Sequence, residues 1–172
     1  AYCYLDAYQD APSTQPEAIG GYLPLERVYS YNPPDDRLVM GIQGNLWTEY
    51  VPTLQHLEYM LWPRAMAIAE LGWTRNPHKD YAGFRKRALG QDAYLRQKGY
   101  HAFDLLTETG QRQQSLRPVA NDARGCKVSY TGAPYSLSYP AGGDATLTDG
   151  WRGGWHYSDR RWQGFIGKGF DA

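Results

Sequence analysis

The sequence carries no excess of charge, few cysteines and no long apolar run, and each shortage narrows what the chain does. Eighteen basic residues meet eighteen acidic ones, so no net field draws it to nucleic acid or to an anionic membrane. Only two cysteines occur, Cys3 and Cys126, far apart in the chain. They either pair in an oxidising compartment or stay thiols; one pair is no disulfide framework, and two ordinary thiols is the expectation. The four histidines, His56, His78, His101 and His156, are scattered, and no metal-ligand spacing appears. Arg64 interrupts the best apolar run before it reaches bilayer length, and the first residues carry no signal-peptide pattern. What is plentiful is aromatic: 15 Tyr and 6 Trp. Such rings stack on sugars, and they also fill β-sandwich cores.

A chain of 172 residues holds one ordinary domain or two small ones. Ala1 to Leu5 reads as a buried strand ending at Asp6. A loop rich in Pro, Gln, Ser and Gly extends from there to Gly21. Pro24 suits a first helical turn, with Leu25, Val28 and Tyr29 at helical spacing, and Asn32-Pro33-Pro34-Asp35-Asp36 breaks that helix. Leu38 to Ile42 is a second apolar strand, running on to Trp47 and Glu49. Thr53 caps a long helix with Leu57, Met60, Leu61, Ile68 and Leu71 in one stripe, kinked or restarted at Pro63. A further helix runs from Asp80 to Lys98, with Gly99 as its left-handed terminator. Strand, helix, strand, helix, with continuous apolar strands, is the pattern of a parallel sheet covered by helices. Two such units do not close a barrel, so a larger fold with its front removed is expected.

After about Asp104 the composition changes. The expected layout is an α/β unit over 1–105, a polar, Gln/Arg-rich linker over 106–124, and an all-β segment over 125–172. That last segment has short β-like runs at Lys127–Tyr130, Ala145–Thr148 and Gln163–Ile166, separated by Gly-containing turns. Too few residues remain for a whole sandwich.

In parallel α/β barrels the working residues lie at the carboxyl ends of strands. That rule selects Tyr4 and Asp6 on the first strand and Trp47 and Glu49 on the second, each an aromatic with a carboxylate two positions on and on the same face. A flat ring with hydroxyl-accepting carboxylates is what a monosaccharide pocket requires. Asp6 and Glu49 also fit a glycosidase acid/nucleophile pair, or two strand-end carboxylates on a solvated rim.

Several motifs resemble glycoside hydrolase family 20. Tyr4-Leu5-Asp6, Gln9, Gly20-Gly21-Tyr22 and Val28-Tyr29 are similar to the family's seventh-strand region. Gly41-Ile42-Gln43-Gly44-Asn45-Leu46-Trp47-Thr48-Glu49-Tyr50 resembles its eighth strand. Glu58-Tyr59, Trp62-Pro63-Arg64 and Ala67-Ile68-Ala69-Glu70-Leu71-Gly72-Trp73 resemble its eighth helix. The resemblance implies the carboxyl-terminal part of a (β/α)8 TIM barrel from an exo-acting, extracytoplasmic β-N-acetylhexosaminidase, whose partners are glycans ending in N-acetylglucosamine or N-acetylgalactosamine. It implies a retaining mechanism with the substrate's own acetamido oxygen as nucleophile, and no cofactor; this family is an exception to the two-carboxylate scheme. Tyr4 would donate to the acetamido oxygen, Trp47 would wall the acetamido pocket or stack on the ring, and Asp6 and Glu49 would accept from sugar hydroxyls. The family's acid and its acetamido-orienting residue form an adjacent Asp-Glu pair, and this chain holds no Asp-Glu dipeptide. Asp6 and Glu49 then become binders, and the chain by itself is expected to be inactive.

Arg64 and Glu70 also match family positions, where structural ion pairs are the expectation. Tyr29, Tyr31, Trp62 and Trp73 are expected in packing, His56 at a surface or cap, and Arg85, Lys86 and Arg87 on a solvated helix face. Gly125-Cys126-Lys127-Val128, Tyr139–Gly143, Ala145–Gly150 and Trp162–Phe165 resemble the opening of a discoidin-like jelly roll. Such modules bind sugars in some proteins and in some hold a structural calcium near a position like Asp149; Trp151, Trp155 and Trp162 are expected in its core. A carbohydrate-binding protein without catalysis, acting through this module, is the competing reading. An unpaired parallel strand edge would favour self-association.

Overall fold

The computed structural model describes residues 2–132 and 135–165. Ala1 of the expected first strand and Ile166 of the last β-like run lie outside them. The chain divides into two compact units, Ala1–Gly110 and Gln111–Ala172.

The first unit is helical behind two short parallel pairings. Helix α1 spans Leu25–Tyr29, with Pro24 at its amino-terminal cap. Helix α2 spans Leu54–Leu61, and Thr53 Oγ1 accepts the His56 N–H at 3.1 Å, satisfying one donor that a helix start leaves open. Pro63 has no N–H to continue the ladder, so α2 stops and α3 starts afresh at Arg64–Trp73, across a cis Trp62–Pro63 bond. Helix α4 spans Tyr81–Gln97, and Gly99 at φ +88° ends it in the left-handed conformation a Cβ disfavours.

The core joins these elements: Leu5, Leu23, Leu25, Val28, Tyr29, Ala67, Phe84, Ala88, Phe103 and Leu105 form one buried cluster. On α4 the buried positions are Phe84, Ala88 and Asp92, four apart on one face. Tyr29 stacks on Phe84 at 4.6 Å between ring centres and accepts the Asp80 N–H at 3.0 Å, which ties α1 to the start of α4. Asp10, fully buried, accepts from Thr109 and Gly110 N–H at 2.6 and 3.1 Å, so the residues up to Gly110 close on the amino-terminal loop.

Two strand expectations change. Tyr4 and Asn45 form a parallel bridge, but among the described residues no strand extends from it. Leu38 to Ile42 is not a buried strand: Leu38 is 78% and Met40 101% exposed. The Asp36 carboxylate takes the Leu38 N–H at 2.8 Å and the Asp36 carbonyl takes the Val39 N–H at 2.9 Å. That turn consumes the amides a strand would need.

In the second unit the jelly-roll-like β segment is not formed among the described residues, which instead fold as turns and 3-10 pieces at Gln113–Ser115, Gly143–Ala145 and Tyr157–Asp159. Ala145–Thr148 shows why. Gly143 sits at φ +75°, Thr146 N–H bonds the Gly143 carbonyl, Thr148 N–H bonds the Ala145 carbonyl, and Thr146 Oγ1 accepts the Gly142 N–H. Successive short-range bonds outcompete an extended run of β-branched residues. Longer-range bonds close the unit: Val119 N–H to Gly150 O at 2.7 Å, Gly125 N–H to Thr148 O at 2.9 Å, and a reciprocal pairing of Ser136 and Tyr139 with Gly164.

Candidate functional site

The two segments that carry the expected site residues run side by side. Leu5 N–H donates to Asn45 O at 2.6 Å and Asn45 N–H donates to Cys3 O at 2.7 Å, a parallel pairing that sets Tyr4 opposite Asn45. Past that bridge the first segment turns at Leu5-Asp6, so the pairing itself fixes Tyr4 against Asn45, two residues before Asp6 on one segment and two before Trp47 on the other.

The four side chains do not share one environment. Tyr4 is 47% and Trp47 57% exposed, and Glu49 is exposed as well. Asp6 is 6% exposed. The expected common face for Tyr4 and Asp6 is lost because the chain turns at Leu5-Asp6, with Ala7 N–H reaching back to Tyr4 O at 3.4 Å. Trp47 and Glu49 are both exposed, and Thr48 to Val51 make the next turn.

Asp6 is the buried carboxylate of the group. Its Oδ1 is buried and has no hydrogen-bond partner among the described residues. A buried carboxylate oxygen left without a donor is costly, so such an atom is an acceptor held ready for a hydroxyl or a water.

The bend that presents Asp6 is held from behind by Arg64, the residue whose role pattern reading misses. Its guanidinium is fully buried and donates to Leu5 O at 2.5 Å, Ala7 O at 2.9 Å, Leu23 O at 3.1 Å and Met60 O at 2.6 Å, with Nε also directed at Met60 O. Burial pulls the guanidinium down to about 9, and the charge of Asp6 works the other way. Arg64 is thus not half of a structural ion pair but a clamp on the carbonyls either side of Asp6. A signal for it exists in the sequence: position 64 falls in the same apolar stripe as Met60, Leu61, Ile68 and Leu71. Glu70 does form an ion pair, with Arg87.

Around this clamp lie further buried polar groups. Gln9 Nε2 donates to Tyr59 O at 2.6 Å while its Oε1 has no partner among the described residues, and Tyr59 donates to Gln15 Oε1 at 2.7 Å. Burial, with the Asp10 charge, raises the Tyr59 phenol to about 12. Other expectations need adjustment. Trp73 is 92% exposed, because it lies two residues beyond core-facing Leu71 on a helix, on the opposite side. Arg85 bonds Glu108 at 3.1 Å and Arg87 bonds Glu70, so two of that trio are paired rather than simply solvated. His56 has its Nε2 buried without a partner among the described residues.

Among the described residues, no group of three or more His, Cys, Asp or Glu gathers as metal ligands would. Asp149 accepts the Trp151 N–H at 2.7 Å, and the surrounding cleft sets Arg124 and Lys127 beside Asp144. Calcium takes six to eight oxygens, roughly, and this balanced set of charges does not suit it. Cys3, half buried, and exposed Cys126 are free thiols.

Parallel segments with helices behind them, and the candidate side chains at the segments' carboxyl ends, make the first unit a TIM-barrel-related α/β fragment. Residues 1–76 match the glycosyl hydrolase family 20 catalytic domain. A β-hexosaminidase from Porphyromonas gingivalis is 50% identical over 91 residues, which is 49% of this chain and 12% of that protein. The fold agrees with a GH20 β-N-acetylhexosaminidase from Streptomyces coelicolor, at TM-score 0.52 and 27% identity over 59% of this chain and 22% of that one. It agrees equally with a mutant Streptomyces plicatus β-hexosaminidase in complex with its product, GlcNAc, at TM-score 0.51 and 27% identity over 59% and 21%. The chain spans less than a quarter of the length of these relatives.

Proposed function

We propose that this chain is part of an exo-acting β-N-acetylhexosaminidase and supplies one side of its sugar pocket. The observation that carries the reading is the parallel pairing of Tyr4 with Asn45. It sets an exposed phenol, an exposed indole and a buried carboxylate with an unpartnered oxygen at the ends of adjacent segments. The match of residues 1–76 to the family 20 catalytic domain and the GlcNAc bound by the Streptomyces plicatus relative support the substrate class, a terminal β-linked N-acetylhexosamine.

Each residue then has a chemical role. The Tyr4 hydroxyl donates to the substrate's acetamido oxygen, fixing it for attack on the anomeric carbon and steadying the charge that grows as the oxazolinium-like ring forms. The Trp47 indole packs against the apolar face of the sugar or its acetamido methyl. Asp6 and Glu49 accept from ring hydroxyls, a charge-assisted contact stronger than a neutral one. Arg64 positions Asp6 through the backbone on both sides of it. Retention of configuration results from two successive displacements at one carbon. Protonation of the departing oxygen needs an acid beside it, and the adjacent Asp-Glu pair that the family uses is absent from the 172 residues. The parent enzyme is read as extracytoplasmic, in keeping with substrates found on glycans and chitin-derived oligosaccharides.

The test is hydrolysis of a chromogenic N-acetyl-β-glucosaminide by the purified 172-residue chain. Turnover at the background rate is expected; steady turnover that depends on Tyr4 would show that an acid is present in the chain and overturn the division of roles.

A further inference from the structure

The second unit holds a cleft of about 340 Å³ that plays no part in the hexosaminidase reading and whose chemistry stands independently of it. Its wall contains Arg112, Arg152, Arg161, Trp151 and Trp162, and no acidic residue lines it. The unit as a whole has eight basic and five acidic residues, so a chain that is neutral overall concentrates positive charge here. Every ion pair among the described residues lies in the first unit, which leaves these three guanidiniums without a carboxylate partner among those residues.

The nearest acidic side chains in sequence are already engaged by backbone. Asp149 Oδ1 accepts the Trp151 N–H at 2.7 Å, and Asp159 accepts the Gly154 N–H at 2.5 Å and the Arg161 N–H at 2.8 Å. Two of the cations are held in place by rings. The Arg161 guanidinium lies 4.7 Å from the Trp151 ring centre, and Arg112 lies 5.6 and 5.8 Å from the rings of Trp155 and Trp162. Arg112 spends donors on Gly153 O and Gln114 Oε1, and Arg161 spends one on Ser115 O. Of the five N–H donors each guanidinium carries, the larger part stays available, and the Arg152 side chain makes no hydrogen bond among the described residues.

Trp151 and Trp162 are 39% and 41% exposed, so each indole still offers surface to a ligand. Gly153 lies flush against the Trp162 indole, where a Cβ would collide, which brings the backbone close under the cleft. Asn121, Thr146 and Gln163 add neutral hydrogen-bonding groups to the lining. Unpaired, pre-oriented guanidiniums recognise planar or tetrahedral oxyanions. Flat indoles beside neutral amides and a hydroxyl recognise a sugar ring, and the volume is that of a small-ligand site rather than of a groove for a polymer duplex.

We propose that this cleft binds an anionic saccharide. Its ring lies against the Trp151–Trp162 wall, and its sulfate or carboxylate is received by Arg112, Arg152 and Arg161. Sulfated and uronic sugars share the oxyanion chemistry that the cleft reads.

The experiment is isothermal titration of the full 172-residue chain with a heparin-derived tetrasaccharide, alongside neutral chitotetraose and a short single-stranded DNA. Saturable one-to-one binding of the tetrasaccharide is expected, weakening with added salt, at least tenfold tighter than chitotetraose and tighter than the DNA. Arg152→Gln is the decisive variant, because its guanidinium bonds no other described residue; it should weaken tetrasaccharide binding several-fold with an unchanged near-ultraviolet tryptophan spectrum. Arg161→Gln should weaken it at least as much. A desulfated, carboxylate-retaining tetrasaccharide identifies which oxyanion dominates, and retained binding of either form supports the proposal. No binding, equal binding of chitotetraose, tighter binding of DNA, or full affinity in Arg152→Gln would each overturn it.

Discussion

Replacing Arg64 with methionine should unfold the first unit far more readily than its distance from solvent suggests. The side chain is fully buried and donates to four carbonyls, those of Leu5, Ala7, Leu23 and Met60. Three of these, Leu5, Ala7 and Leu23, lie outside helices and receive no other backbone N–H among the described residues. Methionine keeps much of the volume and removes every donor. Each buried acceptor left open costs about 1–3 kcal/mol, and release of the guanidinium's own desolvation penalty returns part of that. A net loss of ~3–5 kcal/mol is the expectation, a large share of the ~5–15 kcal/mol that holds a domain together. Lysine, with one compact donor group, should recover part of the loss. Helices α1 to α4 all lie in the first unit, so urea unfolding tracked by far-ultraviolet circular dichroism reports on that unit. A stability for Arg64→Met within about 1 kcal/mol of the unmodified chain, given the acceptor cost above, would refute the clamp.

Thr53→Ala removes the acceptor for the His56 N–H and should cost about 1 kcal/mol in the same unfolding assay; no change would mean that the α2 start is satisfied by water. Asp92 is buried on α4, where it takes the Leu105 N–H at 3.2 Å and faces Arg96 at 3.4 Å. Burial raises its carboxyl above the usual aspartate value, with the Leu105 N–H and Arg96 opposing. The folded state therefore holds this proton more tightly than the unfolded chain does. The linked contribution is fully present below the unfolded value of 3.8 and is lost as pH rises through the higher folded value. The stability difference between the unmodified chain and Asp92→Asn should shift toward the variant on going from about pH 3.5 to about pH 7, and a difference independent of pH would contradict the assignment.

The helices of the first unit are readable from single residues because their ends are set locally. Thr53 supplies a cap, Pro63 removes a donor and Gly99 takes a conformation that residues with a Cβ disfavour. Segments whose state depends on partners are not readable in that way. Leu38 to Ile42 has the composition of a buried strand, yet the Asp36 turn takes its amides and leaves Met40 in solvent. Ala145–Thr148 has β-branched residues, yet Gly143 and Thr146 turn it into short-range bonds. At the candidate site, Tyr4, Asp6, Trp47 and Glu49 are selected by their place at strand ends, and the paired backbone sets Tyr4 opposite Asn45, just before Asp6 and Trp47. The difference between exposed Tyr4 and buried Asp6 depends on a turn that alternation alone does not encode. Arg64 reads as half of a structural ion pair because a charged residue on a long helix suggests one, although its helical position points to the core.

In the proposed reading Tyr4, Asp6, Trp47 and Glu49 form one side of an N-acetylhexosamine pocket. Titrating the intact chain with N-acetylglucosamine, and monitoring tryptophan fluorescence in parallel with Trp47→Ala, tests it most directly. Weak, saturable binding that prefers N-acetylglucosamine to glucose and disappears in Trp47→Ala is expected. Binding of equal strength in the variant, or equal binding of glucose, would contradict it.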